Sequence, residues 1–191
     1  MLLLGIDLGG RTTNKTAVSL LDSENRSVEV YSSEDVGRVT AKIDANFINF
    51  VNNLNADIIG IDAPLSLPDF TKPDYLYRKA DKVAGALSPM TIGEITARAI
   101  YLSHIFNAEI FEVYPKSILK LHNLPSTGYK NDPSKLIMII EAIKQKYSIE
   151  IIDFPLTGDN VDSVLCAVVL IHYLEGNYEM YGEENGFILP G

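Results

Sequence analysis

Along the chain, short apolar runs alternate with polar turns, and further on apolar residues recur every three or four positions. Leu2, Leu3, Leu4 and Ile6 form the first run, broken by Gly5 and closed by Asp7 and Gly9-Gly10. An apolar run bounded by a glycine turn reads as a buried strand, central in its sheet. After the polar turn Arg11-Thr12-Thr13-Asn14, Thr16 to Leu21 alternates like a strand, and after Asp22-Ser23-Glu24-Asn25 so does Ser27 to Tyr31. These segments predict an antiparallel three-strand meander. Ile43, Phe47, Ile48, Val51 and Leu54 have helical spacing and predict a helix over 40–54, followed by a buried strand Ile58-Ile59-Gly60-Ile61 that ends in Asp62. A crossover through a helix makes that strand parallel to a neighbour, here the first. Asp7 and Asp62 then stand together at the carboxyl ends of parallel strands, the edge where open α/β sheets place their sites.

The second half continues the pattern. Ala63-Pro64-Leu65-Ser66-Leu67-Pro68 is an irregular loop because of its prolines. Residues 75–86 and 92–106 read as helices, and residues 69–93 read as a helical insertion over the site. Lys72, Arg78, Lys79 and Lys82 lie in it and Arg98 just beyond; each taken alone reads as part of a solvated charged helix. Glu109 to Tyr114 is a third buried strand, stopped by Pro115. Next come a short helix over 116–122, a loop over 128–133 and an amphipathic helix over 134–146, opened by Asp132-Pro133. Ser148 to Ile152 is a short edge strand. Val164 to Leu174 is a helix apolar almost all round, hence buried, and Phe187 to Pro190 is a terminal strand or tail. The expectation is one domain over 1–191 with the insertion at about 69–93.

Composition narrows the function classes. With 47% hydrophobic and 21% charged residues the 191-residue chain is an ordinary globular sequence, and its net charge of −9 argues against broad binding to a polyanion. Cys166 is the single cysteine, so an internal disulfide is impossible, and the residue reads as a small buried hydrophobe. The N-terminus lacks a basic signal-peptide segment and no apolar stretch is long enough to span a membrane. The expected location is cytoplasmic, with no membrane partner.

The chemistry lies in acids. Asp7 and Asp62 end strands, while Asp159 and Asp162 open the buried helix, and Glu112 is a fifth candidate on the third strand. Caps alone would explain the helix pair, with Asp159 as N-cap and Asp162 three residues on. A burial-prone carboxylate set is, however, the oxygen shell that Mg²⁺ or Mn²⁺ prefers, and a pair of such ions serves phosphodiester hydrolysis. No P-loop, dinucleotide fingerprint, nucleophile elbow or zinc motif competes. His104 and His172 read as packing or surface residues.

The same stretches resemble a known fold. The meander opened by Gly5-Ile6-Asp7-Leu8-Gly9-Gly10, followed by helix and strand, resembles the ribonuclease H-like fold, and the four aspartates resemble the arrangement in its Holliday-junction resolvase branch. More closely, the chain resembles a domain-of-unknown-function family of predicted nucleases with that fold. The segments carrying the likeness are Gly60 to Pro68, Tyr77-Arg78-Lys79-Ala80-Asp81, Phe111 to Pro115, Asp159-Asn160-Val161-Asp162-Ser163 and Gly186 to Pro190. The resemblance implies an α/β fold with a mixed sheet flanked by helices. It implies Asp7, Asp62, Asp159 and Asp162 as metal ligands, with Glu112 and Arg78 lining the cleft and Arg78 placed to neutralise a substrate phosphate. Glu112 joins the four aspartates as a catalytic candidate, and Arg11 joins Arg78 as a substrate-binding candidate. It also implies a nucleic-acid or nucleotide substrate, and leaves a homodimer open as the assembly.

Two other readings stay open at this stage. Gly5 to Thr13 is similar to the first phosphate loop of the actin, sugar-kinase and chaperone superfamily, but the second such loop, at Asp62-Ala63-Pro64-Leu65, lacks glycines and Pro64 has no N–H to donate. A noncatalytic binding module with capping acids is the third reading.

Overall fold

The structure is a computed structural model, and it describes residues 1–10, 15–32, 44–152, 154–182 and 186–191. Among them, strands β1 (Leu2–Asp7), β2 (Ala17–Asp22) and β3 (Ser27–Tyr31) form the expected meander. Helix α1 (Ala45–Asn53) leads to β4 (Ile58–Ile61), which lies parallel to β1. Helices α2 (Lys79–Ala84) and α3 (Gly93–Ser103) precede β5 (Glu109–Val113), parallel to β4. Then follow α4 (Pro115–Leu121), a 3-10 turn at Tyr129–Asn131, α5 (Pro133–Tyr147), β6 (Glu150–Ile151) and α6 (Gly158–Leu174). The hairpin β7 (Tyr178–Tyr181) and β8 (Phe187–Pro190) ends the chain. The strands form a mixed sheet in the order β6-β3-β2-β1-β4-β5-β8-β7.

Helices cover both faces, and the pleat sorts side chains between them, because successive residues of a strand point to opposite sides. Leu3, Ile58, Phe111 and Val113 pack with α4, α5 and α6, whereas Leu4, Ile6, Ile59, Ile61 and Ile110 pack with α1 and α3. Gly5 and Asp7 share the parity of Leu3, and Gly60 and Asp62 that of Ile58, so both aspartates belong to the α6 layer. In β1 and β4, Gly5 pairs with Gly60. The backbone N–H of Asp62 donates to the Ile6 carbonyl at 2.9 Å, which carries the register one residue past the strand end.

Helix α6 runs buried from Asn160 to His172. It comes so close to the sheet that a Cβ on Gly5 would lie 2.1 Å from the Ser163 carbonyl oxygen. A Cβ on Gly60 would lie 3.0 Å from the Val113 side chain and 3.3 Å from the Cys166 carbonyl oxygen. Two strand glycines therefore bring the helix down onto the sheet, as glycine does where another backbone approaches closely.

The structure departs from the sequence reading in several places. The helix expected over 75–86 is confined to Lys79–Ala84, because Arg78 is extended at its start and Gly85, at φ +66°, ends it in the left-handed region. The helix expected over 92–106 spans Gly93–Ser103. Of the helix expected over 40–54, residues 40–43 lie outside the described residues. Pro115 does more than stop β5: it opens α4 in the first-turn position that suits proline. Strand β7 went unread because Glu179 and Met180 are exposed and give no apolar alternation. Asp159 is not the N-cap of α6. Thr157 is, with its hydroxyl accepting from the N–H of Asn160 at 3.2 Å.

Candidate metal centre

Three carboxylates converge where β1, β4 and α6 meet. One oxygen each of Asp7, Asp62 and Asp162 lie within 4.8 Å of one another. Asp7 and Asp162 are buried and Asp62 is half-buried. Strand parity aims the first two at α6, and the position of Asp162 in the first turns of that helix returns the third toward them. With α6 capped by Thr157, neither Asp159 nor Asp162 does capping work.

A lysine joins the acids. Lys130 Nζ lies 2.6 Å from Asp162 Oδ2, 3.2 Å from Asp7 Oδ2 and 3.2 Å from Asp159 Oδ1. Its neighbour Tyr129 is 1% exposed and donates its hydroxyl to Asp162 Oδ1 at 2.5 Å. The turn bearing both sits hard on the start of α6: a Cβ on Gly158 would lie 2.6 to 2.8 Å from Lys130 carbons. Lys130 and Tyr129 were not anticipated from the sequence. A single lysine in a loop has no periodic or motif signal, and only the distant Gly158, against which the turn packs, hints at the contact.

Electrostatics follow from this crowding. Burial raises the pKa of Asp7 well above the ordinary carboxylate value, and the charges of Asp162, Asp62 and Asp159 add to it while Lys130 opposes. Burial, then the charge of Asp162, pushes Asp62 up to about 8. Asp162 is raised by burial too, against Lys130 and the Tyr129 hydroxyl. For Lys130 burial disfavours the charge, yet Asp7 and Asp162 outweigh it and hold the ammonium above the usual lysine value. Like charges gathered out of water and short of cations are the condition that binding a metal relieves.

The remaining candidates take other places. Asp159 is tied to the three converging acids through Lys130. Glu112 shares the parity of Ile110, so it lies outside the three-acid group. Its carboxylate accepts from Arg78 Nη1 at 2.7 Å, from Arg78 Nη2 at 2.6 Å and from the N–H of Leu65 at 2.9 Å. Arg78 also donates to Asp81 through Nε and Nη2 and to Ser66 Oγ through Nη1. All five of its N–H groups thus have partners inside the protein. Arg78 and Glu112 form a strut joining α2, β5 and the loop after Asp62, and no donor is left over for the phosphate role expected of Arg78. Arg11 lies outside the described residues.

Arg98, read as one of the positive charges near the insertion, is buried behind the site. It pairs with Asp44 at 2.7 Å and donates to Thr16 Oγ1 at 3.0 Å and to the Gly9 carbonyl. It thereby fixes the loop that follows Asp7. His172 is buried, as a packing residue would be, with Nε2 2.8 Å from the Tyr147 hydroxyl. A cleft of about 430 Å³ opens beside the acids, lined by Asp7, Gly9, Gly10, Lys15, Glu94 and Asp159 among others. Among the described residues no helix is long and apolar enough to cross a membrane.

No family model and no curated protein matches the chain. Two solved structures do. A Thermus thermophilus RuvC structure is similar at 11% identity and a TM-score of 0.50, over 92% of this chain and 97% of that one. A T. thermophilus RuvC in complex with Holliday junction substrate is similar at 13% identity and a TM-score of 0.48, over 92% and 94%. At such identities the likeness is one of fold, and the fold of this chain is ribonuclease H-like: a mixed sheet with an antiparallel meander and parallel strands, flanked by helices.

Proposed function

We propose that the protein is a divalent-metal-dependent phosphodiesterase, a nuclease acting on nucleic acid or a nucleotide, and a member of the predicted-nuclease family that its motifs resemble. The observation that carries this reading is the convergence of Asp7, Asp62 and Asp162 within 4.8 Å on the carboxyl edge of a ribonuclease H-like sheet. Their donor set is all oxygen, which suits Mg²⁺ or Mn²⁺, and the cluster already gathers one cationic group in Lys130. Asp7, Asp62 and Asp162 would hold the ion, with Asp159 beside them. When bound, such an ion lowers the pKa of a water and stabilises charge on phosphoryl oxygens.

The protein's own residues prepare that chemistry. Arg98 and Thr16 fix the Gly9-Gly10 loop at the cleft. Glu112, through Leu65, holds the loop that follows Asp62. The same bond weighs against the ATP-binding alternative: Pro64 has no N–H and that of Leu65 is occupied, so the second phosphate loop has few donors to offer. Net charge −9 favours a small or structured substrate over a long polyanion.

The test is hydrolysis of a panel of single-stranded, duplex and branched DNA and RNA in Mn²⁺. Cleavage by the native protein, lost with chelator and lost in a folded Asp7→Asn variant, is the expected result. Cleavage that persists in Asp7→Asn refutes the assignment.

A further inference from the structure

We propose that Lys130 is the second cation of the acidic cluster: the site takes one divalent ion, and the lysine ammonium keeps the place that the other ion of a pair would fill. The inference rests on the metal-dependent reading above and specifies how the acids are shared.

The carboxylate oxygens fall into two sets. Asp7, Asp62 and Asp162 supply one, with ligand atoms within 4.8 Å of one another. Asp7, Asp159 and Asp162 supply the other, and Lys130 Nζ already lies 2.6 to 3.2 Å from all three. Asp7 and Asp162 belong to both sets, as the shared acids of a two-cation centre do. Among the described residues Asp62 has no ion-pair partner, so the Asp7–Asp62–Asp162 set holds the one acid of the four that Lys130 does not reach.

The lysine is built to stay. Its Cα and Cβ are wedged against Gly158, where a methyl group would already be too close at 2.6 to 2.8 Å. The preceding residue, Tyr129, is 1% exposed and bonded to Asp162. The following turn is locked by the Asp132 side chain, which caps α5 by accepting from Ser134 and Lys135 N–H groups. The backbone is thus fixed at both flanks and at the base of the side chain, and this aims the 40%-exposed lysine stem at the acids. Charge points the same way. With all four aspartates ionised, as ligation of a metal would require, one ammonium leaves a formal −3, which one divalent ion reduces to −1. A second ion would overshoot to a net positive cluster and set a divalent charge against the ammonium at a few ångströms, a strong repulsion in a half-buried site.

The experiment is titration of the metal-free protein with Mn²⁺ alone, read as stoichiometry by calorimetry and as spin coupling by electron paramagnetic resonance. The native protein should bind one Mn²⁺ per chain with the signal of an isolated ion. Lys130→Met, with its fold checked by circular dichroism, should bind two with the signature of a coupled pair. Lys130→Gln, polar and nearly as long, provides the same comparison if Lys130→Met does not fold. Lys130→Arg, which keeps the charge, should bind one. Two coupled ions in the native protein overturn the proposal. One ion in the native protein and in the neutral variants also overturns it, while leaving the metal-dependent reading intact. No Mn²⁺ bound by the native protein overturns both.

Discussion

Gly5 of β1 and Ser163 of α6 meet backbone to backbone, with so little space between them that a Cβ on Gly5 would lie 2.1 Å from the Ser163 carbonyl oxygen and 2.4 Å from the N of Ala167. Asp7 lies two residues beyond Gly5 on the same face, and Asp162 one residue before Ser163. The glycine contact therefore sets the separation of the two acids. Buried hydroxyls reinforce it, since Ser19 Oγ and Ser163 Oγ are 2.6 Å apart.

Gly5→Ala should accordingly damage both fold and site. Neither partner atom is the end of a flexible side chain, so helix or strand must shift. The expected loss is about 3 kcal/mol of stability, at the upper end for overpacking, measured by urea denaturation. Mn²⁺ affinity should fall in the fraction that remains folded. A variant with native stability and native Mn²⁺ binding would show that the helix rests on the sheet differently.

The raised pKa of Asp62 makes a prediction with a definite sign. In the unfolded chain its carboxyl loses its proton near 3.8, whereas in the fold burial and then the Asp162 charge keep it protonated up to about 8. Between those values folding takes up a proton, so this group's contribution to stability is complete below pH 3.8 and is lost as pH rises toward 8. In chelator, Asp62→Asn should match the native protein in melting temperature near the acid end of that window and exceed it near the alkaline end. Parallel curves across the window would contradict the shift. A capping aspartate behaves oppositely, losing stability on conversion to asparagine or staying neutral.

Arg78 separates a strut from a substrate contact. Its side chain is 12% exposed, and it pairs with Glu112 at 2.6 Å and Asp81 at 2.5 Å. Arg78→Ala leaves two buried carboxylates without their cation, a change that costs about 3 kcal/mol or more. The expected outcome is a destabilised protein whose surviving folded fraction keeps native substrate affinity. Unchanged stability with weakened substrate binding would instead assign Arg78 to phosphate recognition.

What could be read along the chain was whatever depends on neighbours in sequence. Apolar runs in β1 and β4 put Asp7 and Asp62 at strand ends, the all-round apolar stretch 164–174 placed Asp159 and Asp162 at the start of a buried helix, and the meander and crossover follow from segment lengths and turns. Periodicity is a local property, so these elements needed no partner to be visible. Glu112 shows the limit. It lies on a strand beside β4, but one step out of parity with Asp62, and so it turns to Arg78 in the opposite layer. Lys130 shows it more strongly: 123 residues separate it from Asp7, and nothing near it in sequence distinguishes it from a solvated loop lysine. Its place among the acids arises from close packing, where Gly5 lets α6 onto the sheet and Gly158 lets the Tyr129–Lys130 turn onto α6. Which charges meet was decided there, because contact between distant segments depends on how far backbones can approach.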